Sequence, residues 1–598
     1  MVCAAYAVRL HSGIPVANGR PAFRTPLMLC TYPEVYAVRR LLPALTVTAI
    51  MLSGVARADE SLPIGKIKDT EQAQQAGDIA WMLVSTALVL FMVPGLALFY
   101  GGMVRRKNVL GTMMHSMIAL SIVGLQWMLF GYSLAFGASK GGWIGWSPEF
   151  LGLGSEQLYD AVFPGTKIPI FIHCMYQGMF AIITPALISG AFAERVRFGP
   201  YCLFITLWAT LVYDPLAHWV WAIGADGKPA GWLGQMGALD FAGGTVVHVA
   251  AGFAGLAAIL CLRKRIGYPQ HAMHPNSMVL TLTGAGLLWF GWFGFNGGSA
   301  LAASPLAGNA LTASQVAAAA AGLSWVFVEW LHRGKPTGLG LASGIVAGLV
   351  AVTPASGFVA PPGALVIGLL AGVVCYGAVC LKPKLKYDDS LDAFGVHGIG
   401  GFLGAILTGV FAVELLWQKG SGTTDALGKL AADGRAFQVW VQLVAATSAA
   451  VFSFVGTVIL VKLIDLTIGF ALPAKAEAVG LDQSMHGETG FDLNPVEEMP
   501  MGDFAPRPAS VPPEGKRRFT VVVEGPKNGD LVHAWSQLCQ PGKEPPPADF
   551  TAVYPYVTTV QGNRFRFRGG DPSQLRESLE RLFRDRLDGA SVKTYVEN

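Results

Sequence analysis

Long apolar runs separated by short polar connections dominate this chain. They fall at 79–101, 111–136, 169–193, 199–222, 244–263, 276–298, 310–331, 337–355, 362–381, 396–416 and 437–470. Each is long enough to cross a hydrocarbon core as a helix, which takes about 20 residues. The pattern predicts an all-α polytopic membrane protein with about eleven transmembrane helices. Basic residues sit on alternate connections: Arg105-Arg106-Lys107, Arg195 and Arg197, Arg263-Lys264-Arg265, Arg333 and Lys335, then Lys382, Lys384 and Lys386. The intervening connections, such as 141–154 and 303–310, are Gly-rich or weakly charged. The positive-inside rule therefore predicts an outside N-terminus and a cytoplasmic C-terminus in an inner membrane. The last run exceeds what a membrane requires and is expected to tilt or to extend into the cytoplasm.

Composition agrees. Of 598 residues, 52% are hydrophobic and 14% charged, against about 25% charged in soluble domains. The 73 glycines fit closely packed membrane helices. A net charge of +4 gives no reason to invoke nucleic acid. Eight scattered cysteines, without a C-x-x-C pair, make neither a disulfide framework nor a zinc site. Near the N-terminus, Arg39-Arg40, an apolar run at 41–55 and Ala56-Arg57-Ala58 match a signal peptide cleaved after Ala58. The alternative is a retained extra helix, for which the run is short. The 38 residues ahead of Arg39 are long for an n-region, so translation is expected to start further downstream.

The most informative pattern is an internal repeat. Asp240-Phe-Ala-Gly-Gly-Thr-Val-Val-His248 is followed by Gly252, Phe253 and Gly255; Asp392-Ala-Phe-Gly-Val-His397 is followed by Gly401, Phe402 and Gly404. The two histidines lie on the fifth and tenth runs, and an offset of five reverses orientation. That is an inverted five-helix repeat, whose equivalent positions meet near the bilayer midplane. A helix starting at Asp240 carries His248 about 12 Å inward at 1.5 Å per residue. Intramembrane ionisable residues are functional by default, although one histidine alone is as well explained as a hydrogen-bonded core residue. Two neutral imidazoles can share a hydrogen bond and relay a proton. Histidine also binds metals, but no third or fourth ligand stands at suitable spacing, so no metal and no cofactor is expected.

Aromatic residues flank this pattern: Tyr176, Phe180, Trp219, Trp221, and Trp292-Phe-Gly-Phe295-Asn-Gly-Gly-Ser299. An interfacial belt explains Trp143, Trp146 and Trp219. Trp221 and Ser299 close their runs on the outer side and suit a small cation, held by a desolvated cation–π contact of about 2 kcal/mol. Taking a bare cation into an apolar channel costs tens of kcal/mol, so the path favours a cation that first sheds a proton. Ammonium has that option; potassium and sodium do not.

These residues resemble the ammonium transporter family, the Amt/Mep/Rh superfamily. The matching stretches are Gly101-Gly-Met-Val-Arg-Arg-Lys-Asn108, Ala193-Glu-Arg-Val-Arg197, Asp240 to His248, Trp292-Phe-Gly-Phe-Asn296 and Asp388-Asp-Ser-Leu-Asp-Ala-Phe-Gly-Val-His397, within residues 75–492. The resemblance implies a homotrimer with one pore per subunit and an ammonium site at Trp221, Ser299 and Phe180, with Tyr176 beside it. It also implies a phenylalanine gate of Phe180 and Phe295, pore wall at Trp292, twin histidines at His248 and His397, and an orienting acid at Asp240. Asp392 is taken as the orienting acid of the second half. Tyr176 stands where many members have phenylalanine. The stretch from Trp221 to Asp240 is lengthened, which makes Trp232 a reserve for Trp221.

The expected domains are a leader at 1–58, an extracytoplasmic segment at 59–78, a membrane domain at 79–471, a regulatory segment at 472–499 and a Pro-rich linker at 500–516. Residues 517–598 then form a small α/β domain. Strands are expected at 518–524, 551–560, 564–568 and 591–596, with a helix starting at Asp571-Pro572-Ser573-Gln574. This domain carries no catalytic or phosphate-binding motif. The leading expectation is a transporter or channel and not an enzyme. The alternative is an ammonium sensor signalling through residues 517–598, and a membrane metalloenzyme is a third reading. A PII-type regulatory protein on the cytoplasmic face follows from the resemblance alone.

Overall fold

The computed structural model describes residues 65–66, 72–414, 416, 428–491, 518–524, 528–539, 548–561, 563–568, 571–586 and 593–597. The expected leader and the Pro-rich linker lie outside them. The chain divides into two units, Met1–Leu493 and Asn494–Asn598.

Among the described residues of the first unit, ten helices are long and apolar enough to span a membrane: Gln74–Met103, Arg106–Phe136, Ile170–Ile188, Phe198–Trp221, Gly244–Cys261, Met278–Ala300, Pro305–Arg333, Pro361–Leu385, Phe394–Phe411 and Asp433–Ile468. The eighth place in the order belongs to a shorter apolar helix, Gly338–Val352. It stops where Thr353 precedes Pro354, a residue pair that disfavours helix. Large apolar side chains such as Leu83, Leu125, Val279, Leu323 and Leu466 face outward, as a lipid-facing surface requires. The first helix begins at Gln72, a turn or two before the expected 79. Its polar start is held by other loops: Asp78 Oδ1 accepts from Ala303 N (2.8 Å), and Gln75 Nε2 donates to Lys167 O (3.3 Å).

The inverted repeat is visible in the backbone. The connection into the fifth span bonds to the loop leaving the eighth, through Phe241 N to Pro354 O (3.1 Å). The connection into the tenth bonds to the loop leaving the third, through Ser390 N to Ala191 O (2.8 Å) and Leu391 N to Gly190 O (3.1 Å). Fifth and tenth, third and eighth are each five apart.

The basic connections gather at one end into an ion network. Glu194 accepts from Arg105 N (2.7 Å) and Nε (2.9 Å), while Arg265 Nη2 meets Asp388 Oδ1 at 2.8 Å. Arg195 Nη1 lies 3.4 Å from Asp388 Oδ2. Burial pushes the Glu194 carboxyl up, but the Arg105 hydrogen bond and the Arg265 and Arg105 charges outweigh it and hold it below its usual value. Asp388 is likewise held low: burial opposes, and the bond to Arg265 with the charges of Arg195 and Arg265 prevails. The segment after the last span joins this end. Glu477 pairs with Arg263 (2.5 Å), and Asp482 Oδ1 accepts from Gly111 N (2.8 Å).

The second unit runs β1 (Arg518–Glu524), α1 (Asn528–Leu538), α2 (Ala548–Val553), β2 (Val557–Gln561), β3 (Arg564–Arg568), α3 (Pro572–Arg586) and β4 (Lys593–Glu597). Its sheet order is β2-β3-β1-β4 with all neighbours antiparallel, a split β-α-β arrangement. Val521, Val523, Phe565 and Phe567 pack beneath Trp535, Leu579 and Phe583. Asp571 Oδ1 accepts from Ser573 N (2.8 Å) and Gln574 N (3.2 Å), capping α3 as expected. The strand expected at 551–560 is corrected. Its first half is helical because Phe550 and Val553 pack into the core, with Phe550 against Trp535 (5.2 Å).

Candidate functional site

His248 and His397 sit in the opening turns of the fifth and tenth spans, and both turns are π-helical: Gly244–Val249 and Phe394–Gly398. Such one-turn widenings cluster at functional sites. The two Nδ1 atoms are 3.3 Å apart, and the rings are inclined by 21° with centroids 5.3 Å apart. Both residues are buried. Trp292 stacks on His248 (5.3 Å, 25°), and its Nε1 is anchored on Thr353 Oγ1 (2.9 Å). The histidines, Trp292, Phe295 and the apolar Leu96, Ile183 and Val346 enclose a cavity of ≈ 10 Å³, about the space of one water-sized molecule.

At the end of the bundle opposite the ion network, a vestibule of ≈ 650 Å³ is lined by Phe180, Trp221, Asp240, Ser299 and His173, among others. Between it and the histidines, the rings of Phe180 and Phe295 stack at 4.2 Å and 28°, and Trp221 meets Phe180 edge-on at 6.1 Å. Phe295 in turn lies 6.0 Å from His248. The structure thus brings together vestibule, aromatic constriction and histidine pair in one line.

Tyr176 is placed differently from the vestibule residues. It is fully buried, and its hydroxyl lies 2.9 Å from Gly294 O, 2.8 Å from Phe295 O and 3.1 Å from Ser299 Oγ. Ser299 itself donates to Phe295 O (2.8 Å). Tyr176 therefore supports Ser299 from behind. Trp232 packs on Trp143 and Trp219, at 5.5 Å from each, and does not line the vestibule; Trp221 does.

Asp240 accepts from the backbone N of Gly243 (2.9 Å), Thr245 (3.0 Å) and Val246 (3.0 Å), and its carbonyl accepts from Trp221 Nε1 (2.8 Å). It ties the vestibule tryptophan to the turn that holds His248. Burial pushes its carboxyl up to about 6, against the pull of the Val246, Thr245 and Gly243 amides. In the second half the geometry corrects the expectation for Asp392. Asp392 has φ 60° and pairs with Lys382. The capping acid is Asp389, which accepts from Ala393 N (3.1 Å) and Phe394 N (2.8 Å). Asp389 stands eight residues before His397, as Asp240 does before His248. That equal spacing was the available signal.

A model described as the Ammonium Transporter Family matches residues 80–491. The chain belongs to the ammonium transporter family. It is 46% identical over 420 residues to an ammonium transporter of Bacillus subtilis (strain 168), covering 70% of this chain and 99% of that protein. It is 45% identical to the ammonium transporter Amt1 of Archaeoglobus fulgidus, covering 69% and 99%. Among solved structures it resembles Mep2 of Saccharomyces cerevisiae (TM-score 0.62, 36% identity, 68% of this chain and 90% of that one). It also resembles a Sensor Amt Protein (TM-score 0.63, 27% identity, 69% and 99%). The family assignment makes this ammonium transporter family member a multi-pass membrane protein. Residues 492–598 lie beyond the matched region.

Proposed function

We propose that the protein transports ammonium, collecting it in the vestibule and passing it as ammonia along the paired histidines. One observation carries the reading: a buried imidazole pair, Nδ1 to Nδ1 3.3 Å, with stacked aromatic rings between it and the vestibule. In the vestibule the Trp221 and Phe180 faces attract a small cation, and Ser299 offers a hydroxyl oxygen. The space beyond the rings is too apolar for a charge and too small for a hydrated ion. Ammonium sheds its proton at this constriction, and ammonia continues along His248 and His397, which accept and donate hydrogen bonds while neutral. Asp240 orients the vestibule without touching the substrate, because its oxygens already hold three amides.

The same reading places the ion network and the C-terminus in the cytoplasm of a cell with an inner membrane, in a homotrimer with one pore per subunit. It leaves the cytoplasmic face open to a PII-type regulator. Signalling through residues 517–598 is the alternative, and the likeness to a Sensor Amt Protein, which covers 69% of this chain, does not favour it over conduction.

Proteoliposome currents test the main reading. Ammonium, and not potassium, should evoke a current or alkalinise the lumen, and a His248→Ala, His397→Ala double mutant should alter it. An unchanged response in the double mutant would sink the twin-histidine path.

A further inference from the structure

The second unit separates its charges by face. On its helical side the arginines are compensated: Arg581 Nη2 meets Asp549 Oδ1 at 3.0 Å, Arg576 Nη2 lies 3.9 Å from Glu577 Oε1, and Arg584 pairs with Glu580. Strand β3 is different. Its sequence Arg564-Phe-Arg-Phe-Arg568 alternates, so Phe565 and Phe567 turn into the core while Arg564, Arg566 and Arg568 are exposed on the other face of the sheet. The register sets Gln561 and Val522 beside Arg564, Thr559 and Thr520 beside Arg566, and a further arginine, Arg518, opposite Arg568. No acidic residue holds any of these positions. Glu524 and Glu597, on β1 and β4, stand in register with Lys593 and Thr520. Among the described residues Arg566 and Arg568 have no ion-pair partner. Like charges side by side in a sheet are destabilising, so this row calls for an anionic counterpart from outside the domain.

Guanidinium groups take phosphate oxygens in paired hydrogen bonds. Single-stranded nucleic acid would add bases stacked on exposed aromatic rings. Both rings of β3 are instead buried in the core, with Phe565 against Trp535 (5.1 Å) and Phe583 (5.4 Å). The strand therefore offers phosphate contacts without a platform for bases, which suits a surface of lipid headgroups. Chain connectivity supplies such a surface. Residues 492–517 join this unit to the membrane-spanning one, and at about 3.5 Å per residue they reach no further than about 90 Å. An anionic cytoplasmic leaflet attracts basic groups that come within a Debye length of it.

We propose that the face carrying Arg564, Arg566 and Arg568 binds anionic phospholipid headgroups of the membrane that the chain spans. Arg566 and Arg568 pair with the phosphates, and Arg564 adds to the positive field. The binding is electrostatic, reversible and weakened by salt. The proposal rests on a cytoplasmic C-terminus.

The test holds the full chain in nanodiscs of phosphatidylcholine and mixes them with separate vesicles of phosphatidylcholine or of phosphatidylglycerol. Wild type should cosediment with the phosphatidylglycerol vesicles and release them as salt is raised. Each basic residue at an anionic leaflet raises partition about fivefold, so R566Q/R568Q should bind about 30-fold less. Its thermal midpoint should not change, because both side chains are exposed. R566K/R568K keeps the charge and should bind within a few-fold of wild type. Equal binding of the two vesicle types, or undiminished binding by R566Q/R568Q, would overturn the proposal. So would tighter binding of a single-stranded RNA oligonucleotide than of the vesicles. Cys539 is exposed, and its labelling by an impermeant thiol reagent from outside intact cells, absent in Cys539→Ser, would instead overturn the cytoplasmic C-terminus, a result the vesicle assay cannot produce.

Discussion

Replacing Gly252 with alanine probes how closely the two histidine helices must approach. A Cβ at Gly252 would stand 2.2 Å from Gly398 N and 2.3 Å from Gly398 Cα, beside His397. These are backbone atoms of the opposing span and cannot rotate away. Restoring even the 3.4 Å lower edge of ordinary contact takes a separation of about 1.2 Å, given the steepness of close repulsion. The Nδ1 atoms, already 3.3 Å apart, would then lie beyond hydrogen-bond reach. A misplacement of about 1 Å in a site that positions reacting groups costs on the order of 100-fold in rate. Overpacking adds a destabilisation of about 1–3 kcal/mol. Ammonium uptake by proteoliposomes and the thermal midpoint of purified protein should both fall in Gly252→Ala. Gly286→Ala is the control: its Cβ meets nothing within 4 Å, so uptake should hold and stability rise by up to about 1 kcal/mol. Wild-type uptake by Gly252→Ala would refute the argument that close helix contact sets the histidine geometry.

Tyr176→Phe removes the hydroxyl behind Ser299 and should weaken apparent ammonium affinity, with a stability loss of about 1 kcal/mol; equal affinity in a titration of transport would show that Ser299 needs no support. Asp389→Ala should impair uptake more than Asp392→Ala, because Asp389 caps the turn holding His397; the reverse ranking would restore Asp392 as the orienting acid. Glu194 and Asp388 have folded-state values held below normal, so their contribution is full above the usual carboxylate range, near pH 4, and disappears as pH falls through the folded values. Thermal midpoints should therefore drop on acidification, and less steeply in Glu194→Gln; parallel curves would discount the ion network. Ending the chain at Leu493 should leave ammonium uptake intact, since the path lies wholly within the first unit, and a lost current would tie residues 494–598 to conduction.

The apolar helices, ten of span length and one shorter among the described residues, were legible because lipid imposes one rule, a long unbroken apolar run, and nearly every helix here obeys it. The exceptions have local causes. The polar first turns of the opening helix were missed because Gln75 and Asp78 are satisfied by loops distant in sequence. In the second unit, helix α1 was overlooked although Leu531, Ala534, Trp535 and Leu538 recur at helical spacing and are buried. The histidine pair and its aromatic neighbours could be found from residue types and the repeat. The π-turns that aim the histidines could not, because nothing in the side-chain pattern records one extra residue per turn. Tyr176, expected beside the ammonium site, does lie against Ser299 and Phe180. Its neighbourhood was right, but only coordinates distinguish a ring facing the vestibule from a hydroxyl tethered behind it.

The two π-turns also bear on how the histidines would serve a neutral substrate on the path proposed above. Each histidine lies in the first turns of its helix, and the two helices enter from opposite ends of the bundle. The positive ends of both helix dipoles are therefore directed at the imidazole pair. Asp240 and Asp389 take up the free amides one step further out, offsetting the dipoles at the helix starts while leaving the imidazoles without an acidic partner of their own. Trp292 and Phe295 cover the remaining faces. A proton added to either ring would meet two dipole ends and an apolar wall, whereas on the path proposed above ammonia would meet a ring nitrogen that the Nδ1–Nδ1 bond leaves free, His248 Nε2. The inverted repeat supplies both halves of that environment from one structural device, an acid eight residues ahead of a histidine.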